Sequence, residues 1–199
     1  MPPSSRTFDA AYYRRHYLDP KTRAATRQSI ARQARLITSI LENGLFPVHR
    51  ILDAGCGLGW YRAPLARAYP LAEYVGLDVS EELCRRRGWV HGSVATYRAD
   101  EPFDLVICSD VVQYLDDRAA ARALANLGRL SAGALFFQVL AREDLKSIAD
   151  PERTDLEVHL RPASWYRERL RKTFRHLGCG VHVKKELEFP LWSLERPWE

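Results

Sequence analysis

The fold is decided by the stretch Ile51-Leu52-Asp53-Ala54-Gly55-Cys56-Gly57-Leu58-Gly59-Trp60 in a chain of 199 residues. An apolar run here enters a glycine-rich turn, and a helical pattern follows the turn. Glycines adopt positive φ and let the backbone approach a bound group, while the N-terminus of a helix presents free N–H groups. The stretch therefore predicts a strand, a ligand-binding turn and a helix, in that order.

The fine spacing of this turn separates two classes of nucleotide cofactor. A dinucleotide-binding fingerprint requires glycine at the position of Trp60, where the helix packs closely on the strand. Asp53 comes just before the turn, where a carboxylate would repel a pyrophosphate but would pair with an ammonium group. The sequence therefore predicts a ligand with a positive amino group and no diphosphate.

The same residues resemble the first motif of the class I S-adenosylmethionine-dependent methyltransferases, an acidic residue followed by a GxGxG turn. The matching residues are Asp53, Gly55, Gly57 and Gly59. The resemblance implies that this turn, with Cys56 inside it, surrounds the methionine part of S-adenosylmethionine, and that Asp53 lies near its amino group. It also implies methyl transfer as the activity.

A second carboxylate follows the next apolar run, where Tyr74-Val75-Gly76-Leu77 leads into Asp78. A carboxylate at the tip of the second strand is able to accept both hydroxyl hydrogens of a ribose, and the family has its ribose-binding residue there. The resemblance thus assigns Asp78 to the ribose and Val79 to the face of the adenine. The alternative is an Asp that only caps the following helix.

A shorter segment, His91-Gly92-Ser93-Val94, falls where the family often carries an acidic residue that bonds the adenine amino group. Ser93 departs from that pattern, although its hydroxyl is able to bond to adenine. Ser93 and Val94 are therefore assigned to the adenine site. Weaker selectivity for adenine, or a different contact residue, stays open.

A third apolar run, 103–109, resembles the family's fourth strand, which leads into an active-site loop. Ligands in open α/β sheets bind at the carboxyl ends of the strands. We therefore expect Ser109, Asp110, Gln113 and Tyr114 to line the cofactor and acceptor pocket. A role in capping the loop or in packing is the alternative for each of them.

After Pro47, short apolar runs alternate with helical patterns, which is typical of βαβ units. We predict an α/β fold: a Rossmann-like, mostly parallel sheet with helices on both faces and a C-terminal antiparallel hairpin strand. The predicted strands are 50–54, 73–77, 89–91, 103–109, 133–140, 180–185 and 188–192. The predicted helices are 60–68, 80–87 with Ser80 as its N-cap, 116–130 and 162–177.

Residues 1–46 are predicted to form a helical lid or cap segment on a class I methyltransferase domain of residues 47–199, within one globular unit. Apolar residues recur at helical spacing over 22–42, which indicates an amphipathic helix. Ahead of this helix, 8–17 is rich in tyrosine and basic residues and forms the expected lid.

The composition, with 46% hydrophobic and 28% charged residues, is that of a soluble globular protein. No apolar run reaches the ~20 residues of a transmembrane helix, and Met1 to Arg6 lacks the apolar stretch of a signal peptide, so we expect no membrane partner and a cytoplasmic location. Four cysteines without a CxxC pair predict reduced thiols. Because neither the cysteines nor the histidines show metal-ligand spacing, we expect no metal.

The expected partner is a small-molecule acceptor. Methyl transfer from a sulfonium is an in-line displacement that depends on orientation and exclusion of water, and a base is needed only where the acceptor must lose a proton. No pattern singles out a catalytic residue. The side chains available as bases or acceptor contacts are His16, Tyr13, Tyr17, Asp110, Gln138 and His159. Arg161 and His159 follow the fifth strand, where they are candidates to hold an anionic acceptor.

Three alternative functions remain. A net charge of +5 and the basic helix predicted over 162–177 favour a nucleic-acid (RNA) methyltransferase. Against it, Ser109 is not followed by the Pro-Pro pair typical of enzymes that methylate exocyclic amines, and Cys108 lies in an apolar run typical of a core residue. The others are a nicotinamide-dependent oxidoreductase on the same fold and a non-catalytic methyltransferase-like module that binds cofactor or a partner.

Overall fold

The computed structural model describes residues 8–191. Within this range seven strands form one sheet: β1 Arg50–Ala54, β2 Glu73–Asp78, β3 Val90–His91, β4 Phe103–Ser109, β5 Ser131–Gln138, β6 Phe174–Gly178 and β7 Val181–Lys184. Their order across the sheet is β3-β2-β1-β4-β5-β7-β6. The first five strands pair in parallel, and β7 pairs antiparallel with both β5 and β6. The predicted Rossmann-like sheet with a C-terminal antiparallel hairpin is confirmed.

The helices described lie between and around these strands. Their bounds are α1 Ala10–Tyr13, α2 Arg27–Asn43, α3 Arg62–Ala68, α4 Glu81–Arg87, α5 Asp117–Leu130, α6 Asp144–Ser147 and α7 Ala163–Leu170. A π-helical turn, Arg14–Leu18, continues α1, and a 3₁₀ turn, Val112–Tyr114, follows β4. None of the helices in residues 8–191 has both the length and the apolar character needed to span a membrane.

Helices cover both faces of the sheet, as the near-continuous apolar character of its central strands requires. In β4, Val106 and Cys108 join the core beneath α5 and α7, while Leu105 and Ile107 join the core beneath α2 and α3. All four are completely buried. Cys108 is thus a core residue, as predicted.

The cap residues explain where the two longest helices begin. Helix α2 begins at Arg27, later than predicted, because Thr26 and Ser29 form a capping box through reciprocal hydrogen bonds. Helix α5 begins after Asp116, whose carboxylate accepts a hydrogen bond of 2.7 Å from the amide of Ala119. Ser80 stands at the predicted N-cap of α4, but its side chain makes no capping bond and donates instead to the carbonyl of Phe8.

The C-terminal prediction was wrong in two respects. The helix predicted over 162–177 ends at Leu170, and Phe174–Gly178 forms β6, because Phe174 is buried in the core shared with α5 and α7 and 178–180 turn the chain with positive φ. The hairpin therefore joins β6 to β7, and the strand predicted over 188–192 is absent from 188–191. Residue 192 lies outside the described residues.

The strand order places the binding crevice. The chain runs outward from β1 to β2 and β3 on one side, and returns to β4 and β5 on the other side of β1. At such a reversal the connecting loops diverge, which leaves a crevice at the carboxyl ends of the strands. The loops that follow β1, β2 and β4 meet there, and they carry the residues singled out in the sequence.

Candidate functional site

The glycine-rich turn after β1 has the geometry that its sequence predicts. Gly57 has a φ of 49° and Gly59 a φ of 69°, both in the left-handed region. A Cβ atom on Gly57 would lie 3.2 Å from the ring of Tyr13, and one on Gly59 would lie 2.5 Å from the ring of Trp89. The turn is therefore packed from both sides, by the N-terminal segment and by the residue before β3.

Trp89 holds this turn, a role that the sequence reasoning missed. Its indole N–H donates to the carbonyl of Gly57 at 3.2 Å, and its ring lies where a Cβ of Gly59 or Gly76 would be. The guanidinium of Arg62, at the start of α3, lies 5.5 Å from the centroid of the same ring. One aromatic side chain thus links the glycine turn to β2 and α3.

Asp78 lies at the end of β2 and is buried, at 5% exposure. One carboxylate oxygen accepts a hydrogen bond of 2.8 Å from the amide of Gly57, and the other accepts one of 2.8 Å from the amide of Ser80. Each oxygen keeps a further lone pair. Since Ser80, not Asp78, occupies the N-cap of α4, the carboxylate joins two loops and faces the crevice.

Asp53, in β1, is almost completely buried, at 2% exposure. Its carboxylate accepts a short hydrogen bond from the hydroxyl of Tyr74. Burial raises the pKa of Asp53 to about 7, the hydrogen bond from Tyr74 opposes this rise, and the negative charge of Asp78 adds to it. The site therefore holds a poorly solvated carboxylate, which a nearby cation would stabilise in its ionised form.

The loop after β4 brings a third carboxylate to the crevice. Asp110 has a φ of 58°, a strained conformation for a residue other than glycine. Its carboxylate accepts hydrogen bonds from the Ser109 hydroxyl at 3.2 Å and from the Gln113 amide nitrogen at 3.4 Å. The side chain of Asp110 is exposed at the crevice. The protein around the crevice nevertheless displaces bulk water from the carboxylate, and this desolvation raises the pKa of Asp110.

The N-terminal segment covers the crevice. The hydroxyls of Tyr12 and Tyr114 lie 2.9 Å apart, and the Tyr114 hydroxyl donates to Asp155 at 3.1 Å. The ring of Phe8 packs edge-on against Tyr114, with centroids 5.1 Å apart. Side chains from the N-terminal segment, from the loop after β4 and from the stretch after α6 are therefore joined above the strands.

Two adjoining cavities occupy the crevice. A cavity of about 250 Å³ lies beside the glycine turn and contains Asp53 and Asp110 in its wall. A smaller one, of about 80 Å³, lies toward Asp78 and α4. The predicted cofactor residues that line one or both are Asp53, Gly55, Cys56, Gly57, Asp78, Val79, Ser93, Val94, Ser109, Asp110 and Tyr114. Gly59 lines neither, because it lies behind the turn against Trp89.

The side chains predicted as bases or acceptor contacts separate into two groups. His16, Tyr17 and Asp110 line the larger cavity, and Tyr13 lines the smaller one. Gln138 instead accepts a hydrogen bond from Gln33 at 2.7 Å and faces a wider groove of about 1130 Å³. The amide of His159 donates to the carbonyl of Gln113, and His159 lines none of these cavities.

Arg161 is not placed to hold an anionic acceptor. Its guanidinium is buried, pairs with Asp117 at 2.8 Å and donates to the carbonyls of Val112 and Leu115. These bonds fix the loop after β4 to the start of α5. Arg161 is therefore a structural residue, and the prediction of an anion site there was wrong.

Three further features of the site have only weak sequence signals. Phe8, Tyr12 and Trp89 all reach the crevice or its wall from segments outside the motifs. The aromatic character of 8–17 indicated a lid, but nothing in its spacing predicted which ring contacts which strand. Trp89 follows Gly88, the left-handed residue that ends α4. Because its partner Gly57 is 32 residues away in the sequence, no local pattern indicated their contact.

Comparisons with known proteins agree with this geometry. Residues 51–132 match the family model of a methyltransferase domain. The trans-aconitate 2-methyltransferase of Pseudomonas aeruginosa UCBPP-PA14 is 32% identical over 91 residues, which cover 42% of this chain and 33% of that protein. The enzyme of the same name from Streptomyces avermitilis is 26% identical over 196 residues, which cover 92% of this chain and 66% of that protein.

Among solved structures, the magnesium protoporphyrin IX methyltransferase of Synechocystis PCC 6803 with bound S-adenosylmethionine aligns with a TM-score of 0.57 and 18% identity, over 78% of this chain and 79% of that chain. This likeness concerns the fold. The chain spans between 27% and 38% of the length of the Pseudomonas trans-aconitate methyltransferases that it matches.

Proposed function

We propose that the chain is a class I S-adenosylmethionine-dependent methyltransferase, which binds S-adenosylmethionine in the crevice beside Gly57 and Asp78 and transfers its methyl group to a small-molecule acceptor; the match of residues 51–132 to the model of a methyltransferase domain supports this proposal. The observation that carries this proposal is the glycine turn held between two buried carboxylates, Asp53 and Asp78, at the carboxyl ends of β1 and β2.

The residues of the crevice fit the parts of this cofactor one by one. Asp53 supplies a buried negative charge for the amino group of the methionine part. The spare lone pairs of Asp78 suit the two ribose hydroxyls. The apolar side chains of Val79, Val94 and Leu115 line the smaller cavity, where they form the wall for adenine, and Ser93 lies beside them as its hydroxyl partner.

S-adenosylmethionine, when bound, supplies a methyl group carried on a positively charged sulfur. The sulfur is the leaving group and becomes a neutral thioether. The contribution of the chain is to orient the acceptor and to exclude water. Water is excluded by Tyr12, Tyr17 and Tyr114, whose rings line the larger cavity from the N-terminal segment and from the loop after β4. We assign residues 1–46 the role of a lid on the domain of 47–199 for this reason.

The size of the larger cavity and its cover by the N-terminal segment support a small molecule as the acceptor. The basic helix that favoured nucleic acid ends at Leu170, so its charges are divided between a helix and a hairpin. We propose a cytoplasmic location, which suits three buried cysteines held as free thiols: Cys56, Cys84 and Cys108.

Calorimetry with the purified chain tests the cofactor assignment. We expect S-adenosylmethionine and S-adenosylhomocysteine to bind with dissociation constants on the order of micromolar, and NAD not to bind. Binding of NAD alone would favour an oxidoreductase, and binding of none of the three would reject the proposal. A screen of metabolite extracts with methyl-labelled cofactor then tests for transfer, and its absence with every extract would favour the non-catalytic module.

A further inference from the structure

The wider groove of about 1130 Å³ continues from the larger cavity of the crevice. Asp110 and Leu140 line both spaces, so the groove opens where the proposed function places the acceptor. Strands β5, β6 and β7 form its floor, and one face of α7 with its C-cap forms its wall. The residues of that face recur at helical spacing: Ala163, Tyr166, Arg167, Leu170 and Arg171. An acceptor therefore has room to extend from the larger cavity along α7.

The pairing of the strands gives the length of the wider groove. His182 in β7 pairs with Leu135, which is three residues before Gln138 at the end of β5, or about 10 Å along the strand. His176 in β6 pairs with His182 and lies two strand spacings from β5, again about 10 Å. The far end of the groove is therefore about 14 Å from Gln138, roughly the length of an extended chain of ten to twelve carbon atoms.

A basic cluster, formed by Arg167, Arg171, His176 and His182, lines the far part of the groove. Arg167 and Arg171 are exposed one helical turn apart, and the rings of His176 and His182 have centroids 4.8 Å apart. Burial lowers the pKa of His182 to about 4, with a contribution from His176, and burial and the charge of Arg167 lower the pKa of His176. At pH 7 the cluster thus combines two guanidinium charges with two neutral imidazoles, each of which keeps one N–H donor. Such a set of groups suits an oxyanion.

The charges of the wider groove differ between its two ends. Asp110 lies at the entrance, and the carboxylate of Asp144 accepts a hydrogen bond of 2.8 Å from the amide of Ala141, which follows Leu140 in the chain. Both acidic side chains among the described lining residues are thus near the entrance, away from the basic cluster. Ile148 is 81% exposed in the same lining, so an apolar chain that covered it would remove its surface from water. A ligand with an apolar body and a negative far end is complementary to this groove.

We propose that the methyl acceptor is an elongated amphiphile whose far end is an oxyanion, a carboxylate or a phosphate. The oxyanion binds to Arg167, Arg171 and His176, the apolar chain lies along α7, and the reactive end enters the larger cavity beside Asp110. This inference rests on the proposed function, because that function makes the larger cavity the place of methyl transfer. The groove then selects the acceptor by its length and by the charge of its far end.

The first test compares probes with one chain and different end groups, on protein saturated with S-adenosylhomocysteine. The probes are decanoate, decyl phosphate and decylamine, which is an ammonium at neutral pH. We expect calorimetry to give at least one anion an affinity about tenfold or more higher than that of decylamine, and the tighter anion identifies the preferred end group. Butyrate, which lacks the long chain, should bind at least about tenfold more weakly than decanoate. Binding of neither anion, or a decylamine affinity equal to that of both anions, or equal affinities of butyrate and decanoate, overturns the inference.

Variants locate the charge preference in the basic cluster. Arg167→Gln and Arg171→Gln should each lower the affinity for the preferred anion by about threefold to tenfold, and the double variant should lose the preference over decylamine. Lys172→Gln removes the same charge from an exposed neighbour that does not line the groove, so it is the matched control and should keep the parent affinity. An unchanged affinity in the double variant rejects the role of the basic cluster.

A series of bifunctional compounds tests whether the groove serves the acceptor. Each compound carries the preferred anion at one end of a ten-carbon chain and a hydroxyl, an amine or a thiol at the other. With methyl-labelled S-adenosylmethionine, we expect transfer to at least one of them, and the double variant should raise its KM about tenfold or more with little change in kcat. Transfer to none of the three overturns the inference. Failure of S-adenosylhomocysteine itself to bind rejects the proposed function instead, so the two failures are distinguishable.

Discussion

The two sides of the crevice are built by different means. On the cofactor side, the glycine turn is fixed by backbone hydrogen bonds, including those from the amides of Gly55 and Cys56 to the carbonyl of Leu77. On the acceptor side, side-chain hydroxyls such as those of Tyr12 and Tyr114 join segments that are 102 residues apart. The first side is held by neighbouring strands, whereas the second depends on a few long-range contacts. We therefore expect the cofactor side to be rigid and the acceptor side to open more easily.

The largest effect is expected from Asp78→Ala. The variant removes the proposed ribose contact and also the acceptor for the amide of Gly57, so we expect the affinity for S-adenosylhomocysteine to fall about 100-fold. Calorimetry measures the affinity, and a thermal melt measures stability separately. Glu81→Ala, an exposed carboxylate three residues further on, is the matched control and should change neither. An affinity of Asp78→Ala within threefold of the parent chain would refute the ribose role.

Gly59→Ala should have the next largest effect, and Gly88→Ala provides its control. Both glycines have positive φ, at 69° and 72°, so each substitution strains the backbone by about 1–2 kcal/mol. The added Cβ of Gly59 meets the ring of Trp89 at 2.5 Å, whereas that of Gly88 meets nothing within 4 Å.

We therefore expect Gly59→Ala to lower the affinity for S-adenosylhomocysteine about tenfold, because Trp89 must move and release the turn. Gly88→Ala should lower stability without a change in affinity. Calorimetry and thermal melts on both variants give the comparison. Equal affinities would show that the turn does not depend on its packing against Trp89, and that the cofactor side is less rigid than inferred.

The contrast between the two sides also explains what the sequence was able to predict. The cofactor side is formed by residues contiguous in the chain, and glycine spacing and a carboxylate at a strand end have the same meaning in any sheet of this type. Gly55, Gly57 and Asp78 were predicted for this reason. The positions of Tyr12 and Trp89 follow from long-range packing, which no local pattern encodes.

The same limit explains the C-terminal error. Arg167 to Arg175 has the charge and length of a helix, yet Phe174 is buried in the core on one face of the sheet and the glycines at 178 and 180 turn the chain into a hairpin. Tertiary packing overrides helix propensity there. Arg161 was misassigned because its partner, Asp117, is distant in sequence, and only the fold brings the two together.

Through Asp53, the affinity of the cofactor side for its ligand should depend on pH. Its pKa is raised to about 7 by burial, and the ammonium of the cofactor requires its ionised form. As the pH falls below 7, protonation of Asp53 should weaken binding of S-adenosylhomocysteine, by up to about tenfold per pH unit. Well above pH 7, where Asp53 is almost fully ionised, this contribution is constant.

Two variants test this assignment by calorimetry between pH 5.5 and pH 8.5 (about the range in which Asp53 titrates). Tyr74→Phe removes the hydrogen bond that opposes the rise in the pKa of Asp53, so the loss of affinity should begin at a higher pH. Asp53→Asn should bind weakly and lose this pH dependence. If the affinity of the parent chain for S-adenosylhomocysteine does not change below pH 7, Asp53 does not bind the amino group of the cofactor.

The smallest effect is expected from the cover of the crevice. The hydroxyl of Tyr114 donates to Asp155, so the hydrogen atom between the two tyrosines belongs to Tyr12. In a double-mutant cycle of Tyr12→Phe and Tyr114→Phe, we expect a coupling of about 1 kcal/mol in the free energy of unfolding. Tyr114→Phe should cost more than Tyr12→Phe, because it breaks two hydrogen bonds.

Stopped-flow fluorescence should show faster release of S-adenosylhomocysteine by about threefold in either variant, because the cover opens more often. A release rate that does not change would mean that the cofactor leaves by a route that the N-terminal segment does not close.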